Sequence, residues 1–384
     1  MEPFKNLINR DTVAQAGQHL RRAWPRFDRT RFEAQAANGL EGLEFKARAM
    51  QLADALEATL PADFATACDV LEASLAPALA LDAQGEPLKL GHAEAERGIA
   101  GWALWAVGEF VARRGVADTA AAQRGLACLH AVTQRFTAEF AIRPIIQRHP
   151  TLALGTLADW VNDPSAHVRR LVSEGSRPRL PWGLRLQALV VDPAPTLPLL
   201  RALQDDPSSY VRRSVANHLN DIAKDHPDLV AGWVRDHLID APDTRGALLR
   251  HASRNLIKAG HAPTLAAWGL ASGLKGQATL TLSAAHATVG GDIALRVQLQ
   301  STARQPQQLV VDYAVHHVRA NGSTSPKVFK GWKLTLAPGE TRTLDKRHSL
   351  KPVTTRTLYP GSHTVDVRVN GVAVAAAHFE LQTP

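Results

Sequence analysis

The stretch DPSAHVRR at residues 163–170 returns as DPSSYVRR at residues 206–213, forty-three residues later. A spacing of that size is the period of two-helix HEAT-type repeats, which bury their apolar faces by stacking on their neighbours. An α-solenoid of HEAT-like repeats is therefore expected. Its punctuation is regular: His149-Pro150 and His226-Pro227 open first helices, while Asp163-Pro164 and Asp206-Pro207 open second helices, with proline tolerated in the first turn. A degenerate copy follows in LLRHASRNLIKAGH, residues 248–261. Aligned on the second helices, Arg170 falls level with Arg213 and Arg250, Glu174 with Asn217 and Arg254, and Asp221 with Lys258. Positions four apart share a helix face, so these residues form a polar stripe along the wall of stacked second helices. Arg169 and Arg212 are the scaffold candidates, set to pair with aspartates of the neighbouring repeat.

The texture changes once along the chain. Up to residue 266 it is rich in Ala, Leu and Arg with helical periodicity, as in LEFKARAMQLADALEATL (43–60) and GIAGWALWAVGEFVARRG (98–115). From residue 277 onward ATLTLSA, DIALRVQLQ, QQLVVDYAVHHV, WKLTLAPG, SHTVDVRV and VAVAAAHFELQ alternate like half-buried strands. Asn321-Gly322 and Asn370-Gly371 supply turns. The expected architecture is thus two domains, a helical one over 1–266 and an all-β immunoglobulin-like sandwich over 277–384. The sandwich carries 12 Lys and Arg against 6 Asp and Glu, most of the chain's net charge of +8. Such a surface attracts phosphate.

Several classes are disfavoured. No apolar run approaches the length of a membrane helix, and MEPFKNLINRD lacks the order of a signal peptide. A cytoplasmic, nucleoid-associated monomer is expected. Cys68 and Cys128 have no ligand spacing, and the 16 histidines form no metal motif, so neither a metal nor another cofactor is expected. Trp102, Trp105 and Glu109 have the spacing of a packed helix face rather than a base platform. His316-His317 is assigned no function.

The stretches FTAEFAIRPIIQRHP, VRRLVSEGSRPRLPWGLRL and DDPSSYVRRSVANHLNDIAKDHPDL resemble the AlkC family of bacterial DNA alkylation-repair glycosylases. The resemblance covers most of the helical part, and the β-rich remainder fits members with an immunoglobulin-like domain. It implies a monofunctional glycosylase acting on duplex DNA, removing cationic N3-methylated bases, 3-methyladenine and 3-methylcytosine, without base flipping. It also implies site positions at Glu139, Arg170, Glu174, Trp182 and Asp221.

Chemistry supports that set. An N3-methylated base is already cationic and a good leaving group, and its departure leaves a sugar of oxocarbenium character that carboxylates stabilise. A carboxylate can also orient or deprotonate the attacking water, and indole stacks on a cation. Glu139, Glu174 and Asp221 are the catalytic candidates, with Trp182 and Arg170 against the lesion. Phosphates call for cations and polar donors, here Arg213, Asn217, Arg250, Arg254 and Lys258 on the helical wall. In the sandwich, Arg319, Lys327 and Lys330 are placed on a mobile basic loop, RANGSTSPKVFKGWK (319–333), as part of a DNA clamp. Composition and repeats alone leave a non-catalytic HEAT scaffold open; the long motifs favour the enzyme.

Overall fold

Each Asp-Pro-Ser motif starts a helix through the same local chemistry. Asp163 accepts a hydrogen bond from the Ser165 amide (2.7 Å), and Asp206 from the Ser208 amide (2.8 Å). These Asx turns aim the chain into the helices Ala166–Gly175 and Ser209–Ile222. The first arginine of each pair then folds back on the turn. Arg169 donates to the carbonyls of Asp163 and Pro164, Arg212 to those of Asp206 and Pro207. Arg169 also forks onto the Asp206 carboxylate (2.6 and 3.1 Å), tying one repeat to the next. Arg170 and Arg213 are left for other work.

The computed structural model of the chain describes residues 3–270, 273–354 and 356–383. It is an α-solenoid of HEAT-like helix pairs followed by an immunoglobulin-like β-sandwich. Two compact units emerge, one running to Asp225 and including Asp243–Ala252, the other comprising His226–Pro242 and everything from Ser253 onward. In the first unit the helix Ala166–Gly175 packs on Ser209–Ile222, which packs in turn on Asp243–Ala252. Among the described residues no helix is long and apolar enough to cross a membrane. Trp102 and Trp105 pack edge-on and tilted among Phe4, Phe45, Phe136 and Phe140, and Glu109 pairs with Arg113. This stripe is a half-buried aromatic packing face.

The third copy departs from the expected single helix. It breaks at Ser253 (φ −92°, ψ 4°) into Asp243–Ala252 and Arg254–Ala259. Ser253 is fully buried and its hydroxyl accepts the Trp268 indole N–H (3.0 Å). Arg250 therefore does not continue into one helical face with Arg254 and Lys258.

In the second unit, strands β1 (Gly276–Leu282), β3 (Asp292–Ser301) and β6 (Thr341–Ser349) form a three-stranded sheet in the order β1-β3-β6. The facing sheet runs β2-β8-β7-β4-β5, with β2 at His286–Thr288, β4 at Gln307–Val318, β5 at Thr324–Leu336, β7 at Gly361–Val369 and β8 at Val372–Gln382. Alternating side chains of both sheets fill the core, among them Val297, Leu299, Val311, Val315, Val367 and Phe379. Asn370 (φ 49°) and Gly371 (φ 81°) both take left-handed backbone, the type I′ geometry that joins β7 to β8.

The segment 319–333 is not a mobile loop. Its turn is confined to Arg319–Ser323, closed by the Gly322 amide on the Arg319 carbonyl (2.9 Å) and the Arg319 amide on the Ser323 carbonyl (2.8 Å). Lys327 and Lys330 stand on β5, opposite Val315 and Asp312 of β4. A bulge between Val311 and Asp312, facing Gly331, hides the strand's alternation in the sequence. Strand β5 is a sheet edge, where lysines also guard against pairing with other chains.

Candidate active site

Helix Ala166–Gly175 places Arg170 and Glu174 one turn apart, and helix Ser209–Ile222 carries Ser214 and Asp221. Glu139 lies in the turn that leads into the helix Ile142–Arg148. These segments converge on a chain of charges. The Arg170 guanidinium pairs with Glu139, lies 3.6 Å from Glu174 and donates to Thr137 Oγ1 (2.9 Å). Thr137 in turn donates to Glu139 (2.6 Å). Arg177 bridges the other two carboxylates: Nη1 meets Glu174 Oε1 at 2.6 Å, while Nε and Nη2 each lie 2.7 Å from Asp221 Oδ2. Ser214 donates to Glu174 Oε2 (2.6 Å), and Lys224 holds Asp221 Oδ1 (2.8 Å).

The cluster is deeply set. Glu174, Arg177 and Asp221 are 6%, 8% and 2% exposed, whereas the Lys224 side chain is 47% exposed. Burial alone would raise the Glu174 pKa. The charges of Arg170 and Arg177 and the hydrogen bonds from Ser214 and Arg177 outweigh it and hold the carboxyl below its ordinary range. Glu174 is therefore an anion at neutral pH, fixed in orientation by two partners. Each of the three carboxylates is thus paired with at least one cation. Lys224, half in solvent, is the most exposed partner of the three carboxylates.

A third guanidinium neighbours the cluster. Arg143 is completely buried and donates to the carbonyls of Leu184 and Gly175, while its Nη2 has no hydrogen-bond partner. Burial, then the neighbouring Arg177 charge, lowers its pKa to about 10, still leaving it cationic. By holding Gly175 and Leu184 together it closes the base of the connection between them. His218, packed beside Ser173, is buried and neutral, its pKa lowered to about 3 chiefly by burial.

That connection carries Trp182. The indole is 82% exposed, and its backbone sits at φ +63°, in the left-handed region that non-glycine residues avoid. A large apolar ring held outward on a strained turn makes Trp182 a candidate functional residue. Trp182 lines an open recess of about 540 Å³ with Arg179, Pro181, Arg185 and Lys224. Lys224 belongs to both features, so the recess abuts the Asp221 end of the carboxylate chain.

The remaining expected contacts are dispersed. Arg213 forks onto Glu86 with two 2.7 Å bonds, and the Tyr210 ring lies between Arg170 and Arg213, 5.1 and 5.8 Å from their guanidinium carbons. Asn217 meets the His251 ring (3.0 Å). Arg250 stands on Asp243–Ala252, Arg254 and Lys258 on Arg254–Ala259. Arg319, Lys327 and Lys330 belong to the sandwich. Sequence reasoning does not single out Arg177, Lys224, Ser214 or Thr137. Arg177 lies two residues past the end of the helix Ala166–Gly175, where the four-residue spacing of the stripe no longer applies.

Comparison with known proteins follows the same outline. The family model described as "Uncharacterised protein YhaZ, C-terminal Ig-like domain" matches residues 277–383. The uncharacterized protein YhaZ of Bacillus subtilis (strain 168) is 32% identical over 383 residues, covering 99% of this chain and all of that protein. A solved structure of Pseudomonas fluorescens alkylpurine DNA glycosylase AlkC, bound to DNA containing an abasic site analog, superposes with a TM-score of 0.87. It is 34% identical and covers 99% of this chain and all of that one.

Proposed function

Because the chain belongs to the AlkC family of bacterial DNA alkylation-repair glycosylases, we propose that it excises 3-methyladenine and 3-methylcytosine from duplex DNA as a monofunctional, cofactor-free glycosylase. The observation that carries this reading is the buried Glu139–Arg170–Glu174–Arg177–Asp221 chain, open to solvent through Lys224 and the Trp182 recess. A wall meant only to hold DNA gains nothing from carboxylates, which repel phosphate. A cationic base and a sugar that becomes cationic give them a purpose.

In the proposed reaction Glu174 and Asp221, oriented by Arg177, stabilise the positive charge that develops on the sugar as the base leaves. The same two carboxylates orient the attacking water and receive its proton, and Glu139, held by Arg170 and Thr137, assists. Trp182 packs its indole against the methylated base or its neighbours, which suits recognition of a stacked, unflipped base by a cation–π contact. Arg170, Arg213 and Asn217 contact the strand, together with Arg250, Arg254 and Lys258. The 277–384 domain acts as a clamp through Arg319, Lys327 and Lys330. The enzyme works as a monomer at the nucleoid.

Trp182→Ala is expected to lower single-turnover excision about tenfold, roughly 1.4 kcal/mol of barrier, with the melting temperature almost unchanged because the ring is 82% exposed. A variant that melts early yet excises normally when cooled would contradict that role. Removing the sandwich tests the clamp. The salt dependence of binding to undamaged duplex should flatten, the log–log slope falling by roughly 0.9 for each phosphate that the clamp neutralises. Equal slopes in both proteins would rule the clamp out.

A further inference from the structure

Three cations without carboxylate partners meet at one end of the β-sandwich. Arg319 comes from the end of β4, Lys327 from the start of β5 and Arg356 from the connection before β7, and they line a single recess of about 440 Å³ with His317, Ser325 and Tyr359. No Asp or Glu lines it. Among the described residues these three form no ion pair, whereas Arg296, Arg342, Arg347 and Arg368 of the same domain all do. What sets the three apart from the domain's other unpaired cations is that they line one recess.

The anchoring of Arg356 explains how the charge is kept available. Its Nη1 donates to His317 Nε2 at 2.8 Å. His317 is 5% exposed and packed against the buried rings of His348 and His363. Burial, then the charge of Arg356, lowers its pKa to about 3, so the imidazole is a neutral acceptor. A carboxylate in its place would orient the guanidinium and cancel it. A neutral imidazole orients it and leaves the full charge, with most of its five N–H donors, for a ligand. Ser325 and Tyr359, which can donate hydrogen bonds without adding charge, line the same recess.

We propose that this recess is a receptor for one phosphate group, with Arg356 as its oriented fork and Arg319 and Lys327 as its flanking charges. The site itself follows from the sandwich alone; DNA as the source of the phosphate rests on the glycosylase reading. A backbone phosphodiester would make it a discrete grip of the clamp, and a free or terminal phosphate would make it a small-molecule site.

The test uses the full chain in two arms. In the first, inorganic phosphate is titrated while the ¹⁵N resonances of the His317 ring are followed by NMR; in the second, binding to undamaged duplex is measured against salt. Wild type should show a saturable His317 shift. Arg356→Gln should abolish it and lower the log–log salt slope by roughly 0.9, while Arg356→Lys, which keeps the charge, should retain a weakened shift. Arg296→Gln, which removes an exposed guanidinium paired with Asp345, should change neither readout. Disappearance of the phosphate shift in Arg356→Gln with an unchanged slope would assign the site to free phosphate. Arg356→Gln and Arg356→Lys both matching wild type in both arms would overturn it. Base excision enters neither arm, so a failure of the glycosylase reading is seen separately, as absent base release from a chain that still binds phosphate.

Discussion

Asp221→Asn and Glu174→Gln should each slow single-turnover release of 3-methyladenine about 100-fold, a loss of roughly 2.7 kcal/mol of transition-state stabilisation. Both substitutions keep shape and remove charge. Asp221 is 2% exposed and holds Arg177 and Lys224 through opposite oxygens, so its charge is fixed in place before any substrate arrives. Glu174 is held as an anion by Arg170, Arg177 and Ser214. An amide at either position still accepts hydrogen bonds but no longer opposes a developing cation. Glu139→Gln should have a smaller effect, since its side chain is the most exposed of the three at 13%. Affinity for undamaged duplex should hold or rise, because a negative charge facing phosphate has been removed. Wild-type rates in all three variants would eliminate the carboxylate chain as the active site.

The second large effect belongs to Arg177. Replacing it by Met leaves Glu174 and Asp221 buried with a guanidinium missing between them, which should destabilise the fold by about 3–5 kcal/mol. The sign of the accompanying pH effect follows from Glu174. Its native pKa lies below the ordinary 4.5, so it contributes stability that is present above that value and is lost as pH falls through the native pKa. Without Arg177 the native pKa rises, this contribution shrinks, and the acid limb of the excision profile moves to higher pH. Arg177→Lys keeps the charge but cannot bridge both carboxylates, so it should lose rate while keeping the acid limb near its wild-type position. A stability loss with no movement of the acid limb in Arg177→Met would make the residue structural only.

Much of this arrangement is legible in the residues themselves. The recurring Asp-Pro-Ser start and its first arginine repeat because the same turn has to be made twice, and each bond falls within a few residues of its partner. Positions four apart put Arg170 with Glu174 and set Asp221 on the next helix. What the repeat cannot carry is chemistry outside its period. Arg177 lies past the helix end, in a connection where the two repeats differ, and its partner Asp221 is 44 residues away. The break at Ser253 depends on an indole fifteen residues later, a tertiary contact with no local signature. In the sandwich, the end of β5 from Trp332 reads as a strand, but its first part reads as a loop because a bulge beside Asp312 shifts the register and several positions are lysines. Strand β6 leaves little signal because TRTLDKRHS carries charges on both faces and offers few apolar residues to count.

The most direct test is chemical. Duplex DNA treated with a methylating agent is incubated with the full chain, and the released bases are separated by chromatography. The glycosylase reading predicts free 3-methyladenine and 3-methylcytosine, released without added metal, with abasic sites left in intact strands. A chain that binds this DNA with normal affinity and releases no methylated base would contradict it.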